Sequence, residues 1–540
     1  MPALLIALFL VFQTPPAEPK LATVEGAVVH AASKAAVRKA KVTLTSIGAE
    51  NTTSMETGDD GRFTLKEVKP GRYRVSAEKT GYQTTAYGAR RPADAVGQVL
   101  RIDAGAALTG IDIALPRQGA IAGKILDADN EPVRGALVLA LANIYYLNGR
   151  RTRIPRGSVP VMSSDLGEYR IGSLPPGKYI ICAIPSSFVQ PAPLAKEAKP
   201  GTEDALVTTC YPNVHQMADA TQFEIKDSTE IPGIDMRLIK TRTVTVQGRI
   251  SGVPAGAGSI TILNLNTKTA GPMGNAIHPR ALVQGVDGKF EFKNVAPGSY
   301  ILHTLPTGLG NSAFIVKANV EVGDQPITDL QVPAITPFEI KGKVIAEPGP
   351  EMKLGSVRVI LSPADDITST VSMGNPNADG DLALGNLVPG RHRVQLTGVP
   401  YTHYVREIRA GDLLAEGDEV DIPASATQLT IVLALGRAEV NGLARNDKGE
   451  PFAGAHVGLI PEPRRPFRIK ATRTDQSGAF KFMGVAPGEY WLVALETVEP
   501  GSLQDDEFLK PMRTKLKKVQ VEDGGSQGAE LTVLPAAPDR

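Results

Sequence analysis

The chain has 540 residues, 58 basic against 57 acidic side chains, two cysteines, 54 glycines and 42 prolines. Near-neutrality supplies no global field for nucleic acid or an anionic membrane, and two cysteines cannot build a disulfide-dense scaffold or a four-cysteine zinc site. With 42% apolar residues and 5% aromatics, the composition suits many short strands, and at about 100–200 residues per domain the length allows three to five cores.

The chain opens on an apolar run, Ala3 to Phe12, followed by a proline-rich stretch. The run is too short to span a bilayer and matches the apolar region of a secretory signal, so residues 1–17 read as an export signal. No basic residue precedes it, and Pro15-Pro16-Ala17 is a weak cleavage site.

One pattern then recurs five times: a glycine, an apolar or aromatic pair at i and i+2, Pro-Gly, and an aromatic two residues later. The copies are Gly61, Phe63, Leu65, Pro70-Gly71, Tyr73; Gly167, Tyr169, Ile171, Pro176-Gly177, Tyr179; and Gly288, Phe290, Phe292, Pro297-Gly298, Tyr300. A worn copy follows at Gly380, Leu382, Leu384, Pro389-Gly390, His392, and a fifth at Gly478, Phe480, Phe482, Pro487-Gly488, Tyr490. The spacing is that of whole domains, since solenoid repeats run at about 20–50 residues. Residues at i and i+2 share one strand face, so each pair points inward. Pro-Gly suits the centre of a type II turn, so the motif reads as a β-hairpin with positive φ at Gly71 and Gly298. Gly71→Ala is then expected to cost about 1–2 kcal/mol.

Upstream of each motif stands a strand of the form apolar-x-Gly-x-apolar, centred on Gly26, Gly123, Gly248, Gly342 and Gly442. Glu131-Pro132-x-x-Gly135-Ala136 and Glu450-Pro451-x-x-Gly454-Ala455 share a turn, and each copy closes on an alternating strand such as Ile111 to Leu115. The fold class expected is all-β: five tandem immunoglobulin-like or transthyretin-like β-sandwich modules joined by short linkers, at 18–116, 117–240, 241–335, 336–436 (divergent) and 437–540. Short linkers make the array semi-rigid.

Gly-x-Val, Glu-Pro-x-x-Gly-Ala and the Asp-Gly-x-Phe-x-Phe…Pro-Gly-x-Tyr motif resemble the carboxypeptidase regulatory-like domain family, related to transthyretin-like and Cna B-type sandwiches. The resemblance covers nearly all of 21–540 and implies the accessory β-domain that stands beside a peptidase, not the peptidase. It also implies carbohydrate recognition as an expectation by analogy. Cna B-type domains can form Lys–Asn isopeptide bonds with an inward carboxylate four residues after the motif tyrosine. Here Glu78 is five after Tyr73, which turns it to the other face, so no crosslink is expected.

No catalytic or metal constellation is expected. His30, His215, His278, His303, His392, His403 and His456 form neither His-x-x-Glu with a distant His nor His-Glu-x-x-His. Gly524-Gly525-Ser526-Gln527-Gly528 imitates a nucleophile elbow but precedes a strand, and Asp127-x-Asp129-Asn130 reads as a strand turn rather than a calcium loop. No cofactor is implied. Aligning the second repeat on the first puts Cys182 opposite Ser76 and Cys210 opposite Ala86; the two form either a disulfide or two separate buried thiols.

A candidate ligand site is the Asn148-Gly149 hairpin with Tyr145, Tyr146, Arg150, Arg151 and Arg153. It suits a sugar face or an anionic chain, or else holds cross-strand Tyr–Arg pairs. Trp491 points away from the core, exposed or covered by the C-terminal segment. Lys510–Lys518 reads as a solvated strand edge. The expectation is a secreted, periplasmic or cell-surface, non-catalytic binding or structural protein. Its partner would be a polysaccharide or an envelope or extracellular protein, not nucleic acid, with no membrane span in the mature chain. The alternatives are a spacer or adhesion array without glycan binding, and a divergent secreted hydrolase.

Overall fold

The computed structural model describes residues 20–47, 52–90, 97–145, 151–189, 201–254, 261–267, 279–283, 287–305, 314–349, 352–364, 371–465 and 468–535. The export signal falls outside them. Among the described residues no helix is long and apolar enough to cross a membrane.

The protein is all-β, built of β-sandwiches. In the first, the strand Ala22–His30 pairs antiparallel with Arg62–Val68 and parallel with Ile113–Leu115. The facing sheet orders Thr52–Glu56, Lys41–Ser46 and Gly71–Glu78, with Leu100–Ile102 beside the last. Val24, Val28, Phe63 and Leu65 from one sheet meet Val42, Leu44, Tyr73 and Val75 from the other in a single core. Among the described residues this plan recurs in cores around Ile171 and Ile181, Phe292 and Leu302, Leu384 and Val394, and Phe482 and Leu492, the last with its two sheets joined through Ser526–Leu534, which pairs with both Ala438–Arg445 and Gly488–Leu495.

The repeated Pro-Gly is not a hairpin turn. Arg62–Val68 and Gly71–Glu78 lie in different sheets, so the motif is the corner at which the chain crosses the sandwich. Neither Gly71 nor Gly298 has positive φ; only Gly390 and Gly488 do. The left-handed residue sits three positions before the proline in every copy: Glu67, Ser173, Asn294, Asn386 and Gly484. That residue lies at the β-bulge where the register with the first strand shifts, Val68 still pairing with Ala22 beyond it, and the tyrosine locks the corner that follows. The Tyr73 hydroxyl donates to the Lys69 carbonyl at 2.8 Å, Tyr179 to Pro175 at 2.7 Å, Tyr300 to Ala296 at 2.8 Å and Tyr490 to Ala486 at 2.9 Å. This is the tyrosine corner of immunoglobulin-like sandwiches. In the worn copy the His392 ring Nδ1 lies 2.9 Å from the Gly390 carbonyl instead.

The first-strand glycines have a steric cause. A Cβ on Gly26 would stand 2.0 Å from the Ile111 carbonyl oxygen and 2.9 Å from the Phe63 ring. Gly123 and Gly248 meet the Ile234 and Leu330 carbonyls in the same way, and Gly442 meets Ala529. Phe63 lies directly across from Gly26 in the ladder, so the glycine and the motif aromatic are cross-strand partners. A buried hydroxyl also recurs: Thr57, Ser163 and Thr474 each donate to one carbonyl and accept from the backbone N–H of Ala40, Ala136 and Ala455.

Two features cross the expected boundaries. Thr202–Leu206 pairs antiparallel with Lys240–Ser251, joining the sheet of the third sandwich rather than the second. The first sandwich also touches the fifth, some 380 residues further along the chain: the Arg90 guanidinium contacts Glu496 at 3.1 Å, and its partner ring is Phe452 at 4.2 Å.

Candidate functional site

The tyrosine–arginine hairpin forms from Leu137–Tyr145 and Arg151–Met162, with Tyr145 directly opposite Arg151. Tyr146 and Arg150 lie outside the described residues. The Arg151 guanidinium covers the Tyr145 ring at 4.8 Å, the cross-strand pair that alternation allows. The hairpin leans on the C-terminal segment: Tyr145 meets the Phe508 ring edge-on at 6.4 Å, and Arg151 contacts Glu499 at 3.6 Å. Burial raises the Tyr145 hydroxyl pKa against the opposing pull of Arg151, and burial lowers that of Arg153.

Cys182 and Cys210 are cross-strand partners joined by a disulfide. They sit on the outer face of the second sandwich with Leu139, Leu141, Ile180 and Ile184, beneath Val214 and Met217. An equivalent outer face in the fifth sandwich (Ile460, Val493, Leu495) is covered by Leu503 and Leu509, with Trp491 and Phe508 packed alongside. Trp491 is thus partly covered, and its ring N–H donates to Glu462 at 2.8 Å. Lys510–Lys515 is a 3-10 helix, and the strand edge begins only at Lys517.

His30, His303, His392 and His403 make structural contacts. His30 contacts Asp227 at 3.1 Å, and Asp227 also accepts from the backbone N–H groups of Ala32 and Arg117, which ties the first sandwich to the second. His303, His392 and His403 are buried; burial pushes the first two below the ordinary imidazole range. His278 lies outside the described residues. Among the described residues no group of acidic, His or Cys side chains could hold a metal ion. Asp127 closes its turn by accepting from the N–H groups of Asp129 and Glu131, and Ser526 begins the strand Ser526–Leu534. Glu78 pairs on the surface with Lys41 at 3.1 Å.

The residues that sequence reasoning passed over lie where the first, fourth and fifth sandwiches meet. Arg473, 1% exposed, donates to the Gly88 carbonyl at 3.3 Å and to Gly454 at 3.5 Å. Gln476 brackets Arg101, accepting from its N–H at 3.4 Å and donating to its carbonyl at 3.2 Å. Arg90 donates to the Ala453 carbonyl at 3.2 Å. Between the fourth and fifth sandwiches Lys470 donates to the carbonyls of Tyr401 and Met483 at 2.7 and 2.8 Å, and Arg468 donates to Val405 and Arg406. Burial lowers Lys470 to about 8.

Residues 23–116 match the family of carboxypeptidase regulatory-like domains. No curated protein is similar in sequence to the chain. Among solved structures, the TIE protein of Bacillus anthracis is 10% identical over 74% of this chain and 68% of its own, with a TM-score of 0.16. A streptococcal ancillary pilin is 13% identical over 53% and 98%, with a TM-score of 0.18. Two B repeat units of the collagen binding protein of Staphylococcus aureus are 10% identical over 77% and 100%, with a TM-score of 0.14.

Proposed function

We propose that the chain is an exported, non-catalytic structural and binding protein of the cell envelope or exterior. In this reading a signal at 1–17 precedes five modules, divided at 116/117, 240/241, 335/336 and 436/437. The observation that carries it is the use made of the reactive side chains. Arg90, Arg473, Gln476, Lys470, Arg468, His30 and Asp227 are engaged in holding one sandwich to another. Such contacts fix the modules relative to one another, which a scaffold needs. A Cys182–Cys210 disulfide supports export, because such bonds persist in oxidising compartments.

The partner is a polysaccharide or an extracellular protein, met at the hairpin of Tyr145, Tyr146, Arg150, Arg151 and Arg153. Tyr145 and Arg151 keep a stacked pair only partly covered by the C-terminal segment, the arrangement an amphipathic sugar face or an acidic chain would complete. The test is retention of the purified mature chain on insoluble polysaccharides and on envelope protein fractions, with Tyr145→Ala/Tyr146→Ala as the control. Retention lost in the double variant supports the hairpin; retention unchanged refutes it. Hydrolysis of peptide or glycan that disappears with one acidic or histidine substitution would overturn the non-catalytic reading.

A further inference from the structure

The C-terminal segment divides its charges. Between Glu507 and Glu522 the chain carries Lys510, Arg513, Lys515, Lys517 and Lys518 and no acidic residue. Its acidic groups lie earlier and are used within the molecule. Glu499 contacts Arg151 at 3.6 Å, Asp506 pairs with Arg464, and Asp505 accepts from the Glu507 N–H at 3.0 Å. Cations on a strand edge block edge-to-edge pairing, but that accounts only for Lys517 and Lys518, on the strand Lys517–Val521. Lys510, Arg513 and Lys515 stand on the 3-10 helix Lys510–Lys515, which has no sheet edge to protect.

That helix is anchored from below. Leu509 is buried, and Met512 and Leu516 pack beside it against the apolar outer face of the fifth sandwich. Lys510, Arg513 and Lys515 are left exposed. Three residues per turn set Lys510 and Arg513 one above the other, about 6 Å apart along the axis. Lys510 pairs on the surface with Glu507 at 3.5 Å and Lys518 with Glu489 at 2.9 Å, and such exposed pairs hold only weakly. Half-buried aromatic rings flank the cations. Lys518 lies 5.8 Å over Trp491, directly across the ladder from it, and Phe508 meets Tyr145, which Arg151 covers at 4.8 Å.

We propose that this face, from the Tyr145 hairpin across Lys510–Lys515 to Trp491 and Lys518, binds an anionic polysaccharide. The inference rests on the binding role proposed for the hairpin and specifies the partner. The cations match the acid groups of such a polymer, and the half-exposed rings match the apolar faces of its sugars. An acidic protein would need the cations alone. An anionic bilayer would need exposed apolar side chains, whereas Leu509, Met512 and Leu516 pack inward.

The test is the affinity of the full chain for dextran sulfate, alginate and neutral dextran, measured over a range of NaCl concentrations. Dextran sulfate and dextran share a backbone, so their difference isolates charge, and alginate separates carboxylate from sulfate. The expected result is that dextran sulfate, alginate or both bind, that dextran does not, and that affinity falls as salt rises. Lys510→Gln/Arg513→Gln/Lys515→Gln should weaken binding at least about tenfold and make its salt dependence shallower. Unchanged hydrogen-exchange protection of Gly488–Leu495 shows that this variant is folded, and Lys510→Gln/Lys515→Gln serves if it is not. Binding undiminished in the folded variant but lost in Tyr145→Ala/Tyr146→Ala leaves the hairpin role standing and overturns the acidic partner. Equal binding of dextran and dextran sulfate, no binding of either acidic polymer, or equally tight binding of polyglutamate or duplex DNA overturns it as well.

Discussion

Gly26→Ala and Gly342→Ala make a matched pair, because the same repeat position meets different obstacles in two sandwiches. At Gly26 the new Cβ would lie 2.0 Å from the Ile111 carbonyl oxygen and 2.5 Å from its carbon, both backbone atoms. Relief requires the following chain to move off by more than an ångström. Two hydrogen bonds hold it there, from the Ile111 N–H to the Glu25 carbonyl at 3.1 Å and from the Ala27 N–H to Asp112 at 2.9 Å. Losing both at about 1 kcal/mol each, with an overpacking cost of about 1–3 kcal/mol, gives about 3–5 kcal/mol. At Gly342 the obstacle is the Leu382 side chain, with Cδ2 at 2.4 Å and Cγ at 2.7 Å, which can change rotamer. The cost there is about 1 kcal/mol, offset in part by the roughly 0.4–1 kcal/mol gained when glycine leaves the unfolded chain. Hydrogen–deuterium exchange read by mass spectrometry on the intact chain reports each strand separately. Gly26→Ala should speed exchange in Ala22–His30 by about a hundredfold or more, while Gly342→Ala should change Phe338–Ala346 by less than about tenfold. Equal effects at the two sites would refute the close-approach explanation.

Lys470 makes the seam between the fourth and fifth sandwiches sensitive to alkali. Its folded pKa, lowered by burial from 10.5 to about 8, favours the neutral amine, so stability is lowest below 8 and rises as the pH climbs toward 10.5. The rise is at most about 3 kcal/mol; Lys470→Met should remove it from denaturation curves taken between pH 7.5 and 10.5, and an unchanged pH slope would contradict this. Tyr300→Phe leaves the buried Ala296 carbonyl without its 2.8 Å donor and should cost about 1–2 kcal/mol in denaturant unfolding. No loss of stability there would show that the corner is held by packing alone.

Much of the interior was legible because the repeat motif is a packing rule. Phe63, Leu65, Phe290, Phe292, Phe480 and Phe482 are all core residues, as their i, i+2 spacing requires. The alignment that set Cys182 opposite Ser76 and Cys210 opposite Ala86 has a direct structural counterpart. Ser76 faces Ala86 across the ladder of the first sandwich just as Cys182 faces Cys210 in the second. The corner was misread because Pro-Gly is equally at home in a turn within one sheet and in a crossing between two. The discriminating position lies three residues earlier, at Glu67, Ser173, Asn294, Asn386 and Gly484, a column in which only the two asparagines and the glycine are residue types that favour the left-handed region. The inter-sandwich seams leave no local pattern at all. Arg72 and Arg74 read as an ordinary outward face until a segment near residue 473 is brought against them.

That contrast locates where the sandwiches differ. Their cores share one plan, whereas the outer face of the second sheet takes a different form in each. In the first it carries Thr43, Thr45, Arg72 and Arg74. In the second it carries leucine, isoleucine and the disulfide under a covering segment; in the third, buried Asn264, Asn266 and His303; in the fifth, an apolar surface roofed by the C-terminal turns. A face that is apolar must be covered, and the second and fifth each use their own chain to do so. In the first sandwich the half-buried Arg72 has the charge of Asp475, from the fifth, acting on it against the effect of burial. Substitutions on these outer faces and in the seams they form should therefore alter how the sandwiches pack on one another while leaving each core's exchange protection intact.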